Sequence, residues 1–327
     1  MSDPLLLNDW HPVAGSSALT PGVLQPATLL GTELVVWRSP EGAPHAWLDR
    51  CPHRGTRLSI GHLEDAELRC AYHGWRFGAD GRCTEVSALP GFAPPAAACA
   101  KTYPVAESHG LVFASLGTPR EAPPAFPEAS DRNLRAVVCG PYEVASSGPR
   151  VVENFLDLAH FAYVHEGILG SRDQPQVKDY DVKPLPGGGV IASGCLAWQP
   201  RSNIAAERGT EVEYGYRVTR PLTAILTKLP QAQAGFREAI ALHVQPIEEE
   251  RSRAWIVMAM SERDSSDESL RAFQDSIFLQ DRPILENQTP RRLPLAPGAE
   301  VPVACDRMSQ AYRRYLMEQG LRYGTIP

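Results

Sequence analysis

No stretch of the sequence approaches the roughly 20 consecutive apolar residues that a membrane-spanning helix needs. Leu5-Leu6-Leu7 is closed at once by Asn8-Asp9, too short for the apolar core of a signal peptide. An excess of basic residues is also missing. Lys and Arg number 32 against 38 Asp and Glu, a net charge of −6, so nucleic acid is not an expected partner. The 7 cysteines are scattered and odd in number, which is a poor disulfide framework and fits a reducing cytoplasm. Cys83, Cys99, Cys139, Cys195 and Cys305 have no partner spacing and read as small buried hydrophobes. There is no internal repeat, no low-complexity segment and no G-x-G-x-x-G. Gly187-Gly188-Gly189 has the wrong spacing for a nucleotide loop, and no helix follows it. What remains is ordinary globular composition, 43% hydrophobic and 21% charged, over 327 residues, enough for about two domains.

Two short runs stand out against this background, Cys51-Pro52-His53 and Cys70-Ala71-Tyr72-His73. Each follows a short strand pattern, Ala46-Trp47-Leu48-Asp49 before the first and Glu67-Leu68-Arg69 before the second, so each lies on a loop at a strand tip. Further strand signals are Leu34 to Trp37, Trp75 to Phe77 and Leu111 to Ala114. Together the runs offer two thiolates and two imidazoles. That is the ligand set of a Rieske [2Fe–2S] cluster, in which two His replace two Cys on one iron. The competing reading is a structural zinc site, but C-x-H is tighter than the usual spacing of two to four residues.

Residues 117–130 carry four prolines and no periodicity, and the domain boundary is placed there. Beyond it, Ser146-Ser147-Gly148-Pro149 starts a helix expected to run to about Val164, with Gly167 as its stop. Strands are expected over Ala136 to Val144, Val177 to Val182, Val190 to Trp198, Thr210 to Thr219, Ala239 to Val244 and Ala254 to Met260. Ser265 and Glu268 suggest a capping box for a helix from about Asp267 to Gln288, kinked at Pro283. Asp306 is expected to cap a last helix ending near Gly320. On the first helix Asp157 and His160 share a face. His160 and His165 point about 140° apart on regular helix and reach one ion only if the helix ends, tightens or bulges between them. A third ligand has six carboxylate candidates: Glu153, Asp157, Glu166, Asp275, Asp281 and Glu286. Asp281 is out of place within the apolar stripe of Leu270, Phe273, Ile277, Ile284 and Leu285, where it needs a metal or an Arg such as Arg282 or Arg291. Segments 168–176 and 199–209 are candidate pocket edges, and Arg201, Arg208 or Lys228 could meet an anionic substrate.

Cys51-Pro52-His53-Arg54-Gly55, Cys70-Ala71-Tyr72-His73-Gly74-Trp75 and the series Asn154, Asp157, His160, His165 resemble the Rieske non-haem iron oxygenases. The resemblance covers nearly the whole chain. Its length and the stretch Gln280 to Glu286 look most like the homotrimeric branch that includes vanillate and dicamba O-demethylases. It implies an α+β fold: an N-terminal all-β Rieske [2Fe–2S] domain over 1–120, then a catalytic domain over 131–327 with an antiparallel sheet flanked by helices. By resemblance, Cys51 and Cys70 hold one cluster iron, His53 and His73 the other, and His160, His165 and Asp281 a mononuclear Fe(II). Asp157 would bridge a cluster histidine of one subunit and an iron-ligand histidine of the next, and Asn154 would lie near the iron. The implied protein is the oxygenase component of a multicomponent system. It takes O2, and electrons from a separate NAD(P)H-dependent reductase, directly or through a ferredoxin, to hydroxylate a C–H bond of a small aromatic or alicyclic substrate. Oxidative O- or N-demethylation is the alternative within this chemistry. An electron carrier with an inactive second domain is the alternative outside it. A homotrimer with electron transfer between subunits is implied, with no nucleic acid or membrane partner.

Overall fold

The structure, a computed structural model, describes residues 3–233 and 235–327. It divides into two compact units, the main spans of which are Pro4–Pro123 and Pro124–Pro327.

The first unit is built of short strands that follow a brief helix α1 (Pro4–Leu7). β2 (Leu24–Leu29), β3 (Thr32–Arg38), β4 (Pro44–Leu48) and β9 (Thr102–Tyr103) form one four-stranded sheet, in that order. β5 (His62–Glu64), β6 (Glu67–Arg69), β7 (Arg76–Phe77) and β8 (Cys83–Glu85) form a second. β1 (His11–Gly15), β11 (Leu111–Ala114) and β10 (Val105–Ser108) form a third. β3 buries four residues in a row, Leu34 to Trp37, because both of its faces are covered. Trp37 meets Trp47 edge to face at 5.3 Å, a geometry aromatic pairs favour. Leu58, Leu68 and Phe77 complete that core, and Cys51 and Cys70 belong to it. Both thiols therefore stand on packed hydrophobic ground.

The second unit is one seven-stranded antiparallel sheet: β12 (Arg135–Val144), β18 (Arg251–Met260), β17 (Glu238–Glu248), β16 (Thr223–Pro230), β15 (Thr210–Arg220), β14 (Val190–Gln199) and β13 (Asp181–Pro184), in that order. Three helices pack on it. α2 (Gly148–Leu156) lies on β16, β17 and β18, α4 (Asp267–Asn287) on β12, and α5 (Arg307–Gln319) on β13 and β14, while α3 (Phe161–Val164) is a single turn. Among the described residues no helix is long and apolar enough to cross a membrane.

Several local expectations are corrected. The helix expected to reach Val164 stops at Leu156, and Asp157 takes an extended conformation (φ −87°, ψ 139°). Strand β13 begins only at Asp181. β16 lies in the middle of the sheet, although prolines bracket it at Pro221 and Pro230 and Lys228 lends it a surface look. Ser266, not Ser265, caps α4 by accepting from the Ser269 N–H at 3.1 Å. Ile284 is exposed, because the buried face of α4 is Leu270, Gln274, Phe278, Asp281 and Leu285. The helix runs on through Pro283 to Asn287.

Candidate metal centres

The two loops at the strand tips repeat one backbone pattern. Cys51 N–H donates to the Thr56 carbonyl at 2.8 Å and Cys70 N–H to the Trp75 carbonyl at 2.9 Å. The Gly55 and Gly74 N–H groups return to the Cys51 and Cys70 carbonyls at 2.9 and 3.0 Å. Each glycine needs its positive φ (76° and 70°) to close this turn. The repeat sets two cysteines and two histidines in equivalent places. The His53 and His73 rings lie 4.6 Å apart, and His53 stacks on Trp75 at 4.3 Å. Burial pushes the Cys51 thiol up to about 11, against backbone N–H donors at His53 and Arg54 that favour the thiolate. Donors aimed at a buried sulfur suit a metal–sulfur centre. The four donors are spread wider than one zinc ion allows. Among the described residues, His160, His165 and Asp281 are the one set of three or more such groups whose ligand atoms lie within 4.8 Å of one another.

That second set is assembled by the break after α2. Asp157 ends the helix and turns its carboxylate back to accept from the N–H groups of Ala159 and His160, both at 3.1 Å. The same carboxylate accepts from His160 Nδ1 at 2.9 Å. A carboxylate offers no proton in return, so Nδ1 carries the hydrogen and Nε2 presents its lone pair. The single turn of α3 then brings His165 round, and its Nδ1 is held by Gln280 Oε1 at 2.8 Å. The two Nε2 atoms face each other at 3.2 Å, with Asp281 Oδ1 at 3.4 Å from the first and 3.1 Å from the second. Asn154 Nδ2 donates to that oxygen at 3.4 Å. Two Nε2 atoms and a carboxylate oxygen converging on one point fit a divalent cation. Nitrogen–metal bonds of about 2.1 Å bring both rings within reach of one ion. Burial works against charge on His160, yet the Asp157 and Asp281 carboxylates outweigh it and raise the imidazole to about 9. The pocket thus favours positive charge at Nε2, where a bound cation would take the place of the proton. Burial likewise opposes the Asp281 carboxylate, but the two histidines pull it down to about 2.

The other carboxylates are engaged elsewhere. Glu153 is held by Arg313 at 2.9 Å, Glu166 by Arg172 at 2.9 Å and Asp275 by the Tyr142 hydroxyl at 2.5 Å. Glu286 takes both the Ala145 N–H and Arg282 at 3.0 Å, so Arg282 turns away from Asp281. Beside the triad opens a cavity of about 80 Å³ between the sheet, α2 and α4, lined mainly by apolar side chains such as Phe155, Phe161, Leu226, Ile240 and Phe278. Leu169, from the loop after His165, closes one side. Of the three basic residues expected to meet an anionic substrate, Lys228 lines the cavity and Arg201 and Arg208 do not. Gln280 is the position the sequence hid. Gln280 precedes the misfit Asp281, but a polar residue on a polar helix face carries no signal of its own.

Two family models match the chain. The Rieske [2Fe–2S] domain matches residues 9–104, and the vanillate O-demethylase oxygenase C-terminal domain matches residues 144–320. The chain belongs to the Rieske non-haem iron oxygenases. Like the other alpha subunits of the demethylase branch, this Rieske oxygenase works with a [2Fe–2S] cluster, a mononuclear iron and O2. It is an oxidoreductase that receives its electrons from a reductase. It is 42% identical over 219 residues to the probable methylxanthine N7-demethylase NdmC of Pseudomonas sp. (strain TJI-51), covering 66% of this chain and 77% of that protein. The structure of Pseudomonas putida CBB5 NdmA with caffeine superposes with a TM-score of 0.83 at 28% identity, covering 96% of this chain and 91% of that one. The oxidoreductase NdmD of Pseudomonas putida is 44% identical over 118 residues, 36% of this chain and 20% of its own length.

Proposed function

We propose that this Rieske oxygenase is an N-demethylase of small N-methyl heterocycles, methylxanthines among them. His160, His165 and Asp281 hold its iron, and Cys51, His53, Cys70 and His73 its cluster. The convergence of two Nε2 atoms and one carboxylate beside an apolar cavity carries the reading. The demethylase names of NdmC and NdmA support N-demethylation over simple ring hydroxylation. The iron, when bound, supplies the activation of O2 with electrons relayed from the cluster. Asp157 fixes the tautomer of His160, and Gln280 that of His165, so both rings keep a lone pair turned inward. Asn154 steadies Asp281 through its amide N–H. The apolar walls exclude water and hold the N-methyl group towards the triad. In balance, an N-methyl group, O2, two electrons and two protons give N–CH2OH and water, and the carbinolamine then releases formaldehyde and leaves N–H.

Asp157 has a second role in this reading. Its side chain holds His160 while keeping 26% of its surface exposed. It can therefore be approached from outside by a cluster histidine of a neighbouring subunit in a homotrimer. The partner reductase is of the NdmD kind, and the seven unpaired cysteines suit a cytoplasmic setting. The test is formaldehyde release from caffeine by the holoprotein with a surrogate reductase, NADH and O2. Formaldehyde in step with substrate loss is expected. A hydroxylated product with the methyl group retained would overturn the reading.

A further inference from the structure

One polar row interrupts the apolar floor of the cavity. Tyr214 on β15 lies directly opposite Lys228 on β16, and Lys228 opposite Glu238 on β17, so the three side chains share one face of the sheet. Two residues along, the same face presents Leu226 and Ile240. Tyr214 and Lys228 both line the cavity, at 2% and 4% exposure. Lys228 Nζ donates to the Ser202 carbonyl and stands 3.6 Å from Glu238 Oε2. That second distance is an ion pair rather than a hydrogen bond, and Glu238 Oε2 is buried with no hydrogen-bond partner. An ammonium has three N–H donors, and Ser202 accounts for one. The Tyr214 hydroxyl accepts from Gln199 Nε2 at 2.5 Å, which leaves its own proton to donate.

The charge balance of this row bears on the class of ligand. Lys228 is the one cationic lysine or arginine among the residues lining the cavity, and Glu238 neutralises it. A carboxylate entering the cavity would have to compete with Glu238 for Lys228 in a medium where an unpaired charge is costly. A neutral molecule with carbonyl oxygens meets no such conflict. It accepts from the ammonium and the phenol while the ion pair stays intact. Building on the N-demethylase reading above, we propose that Tyr214 and the Lys228–Glu238 pair select uncharged, carbonyl-bearing substrates and turn away carboxylates.

The test is anaerobic titration calorimetry of the holoprotein with caffeine, which is neutral, and vanillate, which is anionic. Wild type, Glu238→Gln and the double variant Lys228→Met/Glu238→Leu are compared. Wild type is expected to bind caffeine about tenfold or more tightly than vanillate. Glu238→Gln strips Lys228 of its counter-charge and should move the caffeine-to-vanillate ratio about tenfold towards vanillate. A pair that only ties the Ser202 loop to the sheet would lower stability and leave that ratio alone. An unchanged ratio in Glu238→Gln, equal binding of the two probes by wild type, or binding of neither, overturns the proposal. Should Glu238→Gln fail to assemble, the double variant decides. Weakened caffeine binding with vanillate still rejected supports the selection, and unchanged caffeine affinity overturns it. Formaldehyde is read separately. Charge preference without demethylation fails the demethylase reading alone, and demethylation without charge preference fails this inference alone.

Discussion

His160 owes its place to Asp157, which ends α2, caps the following turn and holds the imidazole Nδ1 at 2.9 Å. Replacing Asp157 with Asn keeps the shape and an acceptor but removes the charge. Iron content and cluster spectrum should be retained, while substrate-dependent reoxidation of the cluster by O2 slows roughly 10- to 100-fold. Stopped-flow absorbance of the reduced cluster measures it, and a wild-type rate would refute the bridging role. His109 in the first unit gives a test of a different kind. Burial lowers its pKa from about 6.5 to about 4, so the unfolded chain takes up a proton that the folded one refuses. Its contribution is complete above pH 6.5 and is lost as pH falls towards 4, up to about 3 kcal/mol. Denaturant unfolding of the first unit's signal should lose less stability over that window in His109→Gln than in wild type. At this scale Asp281 was legible because a carboxylate in an apolar stripe demands a partner. Gln280 was not, since a Gln on a helix ordinarily faces water, and Lys228 was one of three basic candidates that nothing in the sequence ranked.

The break between α2 and α3 is the element on which the triad depends, and the sequence pattern did not show it. Phe155, Leu158, Ala159, Phe161 and Ala162 suit a helix well. The Asp157 carboxylate stops it early, by capping the N–H groups two and three residues on and starting a new turn. The turn is also clamped from outside. A Cβ on Gly170 would lie 2.4 Å from the Phe161 backbone carbon, and Gly170 N–H returns to the His165 carbonyl at 3.3 Å. Gly170→Ala should therefore displace the His160–His165 turn, costing about 1–3 kcal/mol and most of the mononuclear iron, with the cluster unaffected. Metal analysis of the purified variant checks it, and full iron occupancy would count against the clamp. The strands near the cluster were easier to read because each is short, β-rich and ends in a ligand run. β16 escaped notice because its prolines and Lys228 break the pattern of a central strand.

Across the whole molecule, family and cofactors were legible because the cluster ligands come in two local runs of fixed spacing. The proposed iron ligands pair two histidines in one local turn with Asp281 from α4, more than a hundred positions on, and only packing brings that third ligand to them. The proposed trimer makes a claim that no single chain can satisfy. Cys51→Ser lacks a cluster and His160→Ala lacks an iron, so each should be inactive alone. Co-expressed in one cell, they should regain a measurable fraction of demethylation if electrons pass between subunits. Mixed trimers with no activity would place the path within one chain. The most direct test of the central claim is iron and acid-labile sulfide analysis of wild type and His165→Ala. Wild type should hold about three iron and two sulfide per chain, and His165→Ala about two of each, with the Rieske spectrum intact and turnover gone. A third iron and continued turnover in His165→Ala would contradict the account.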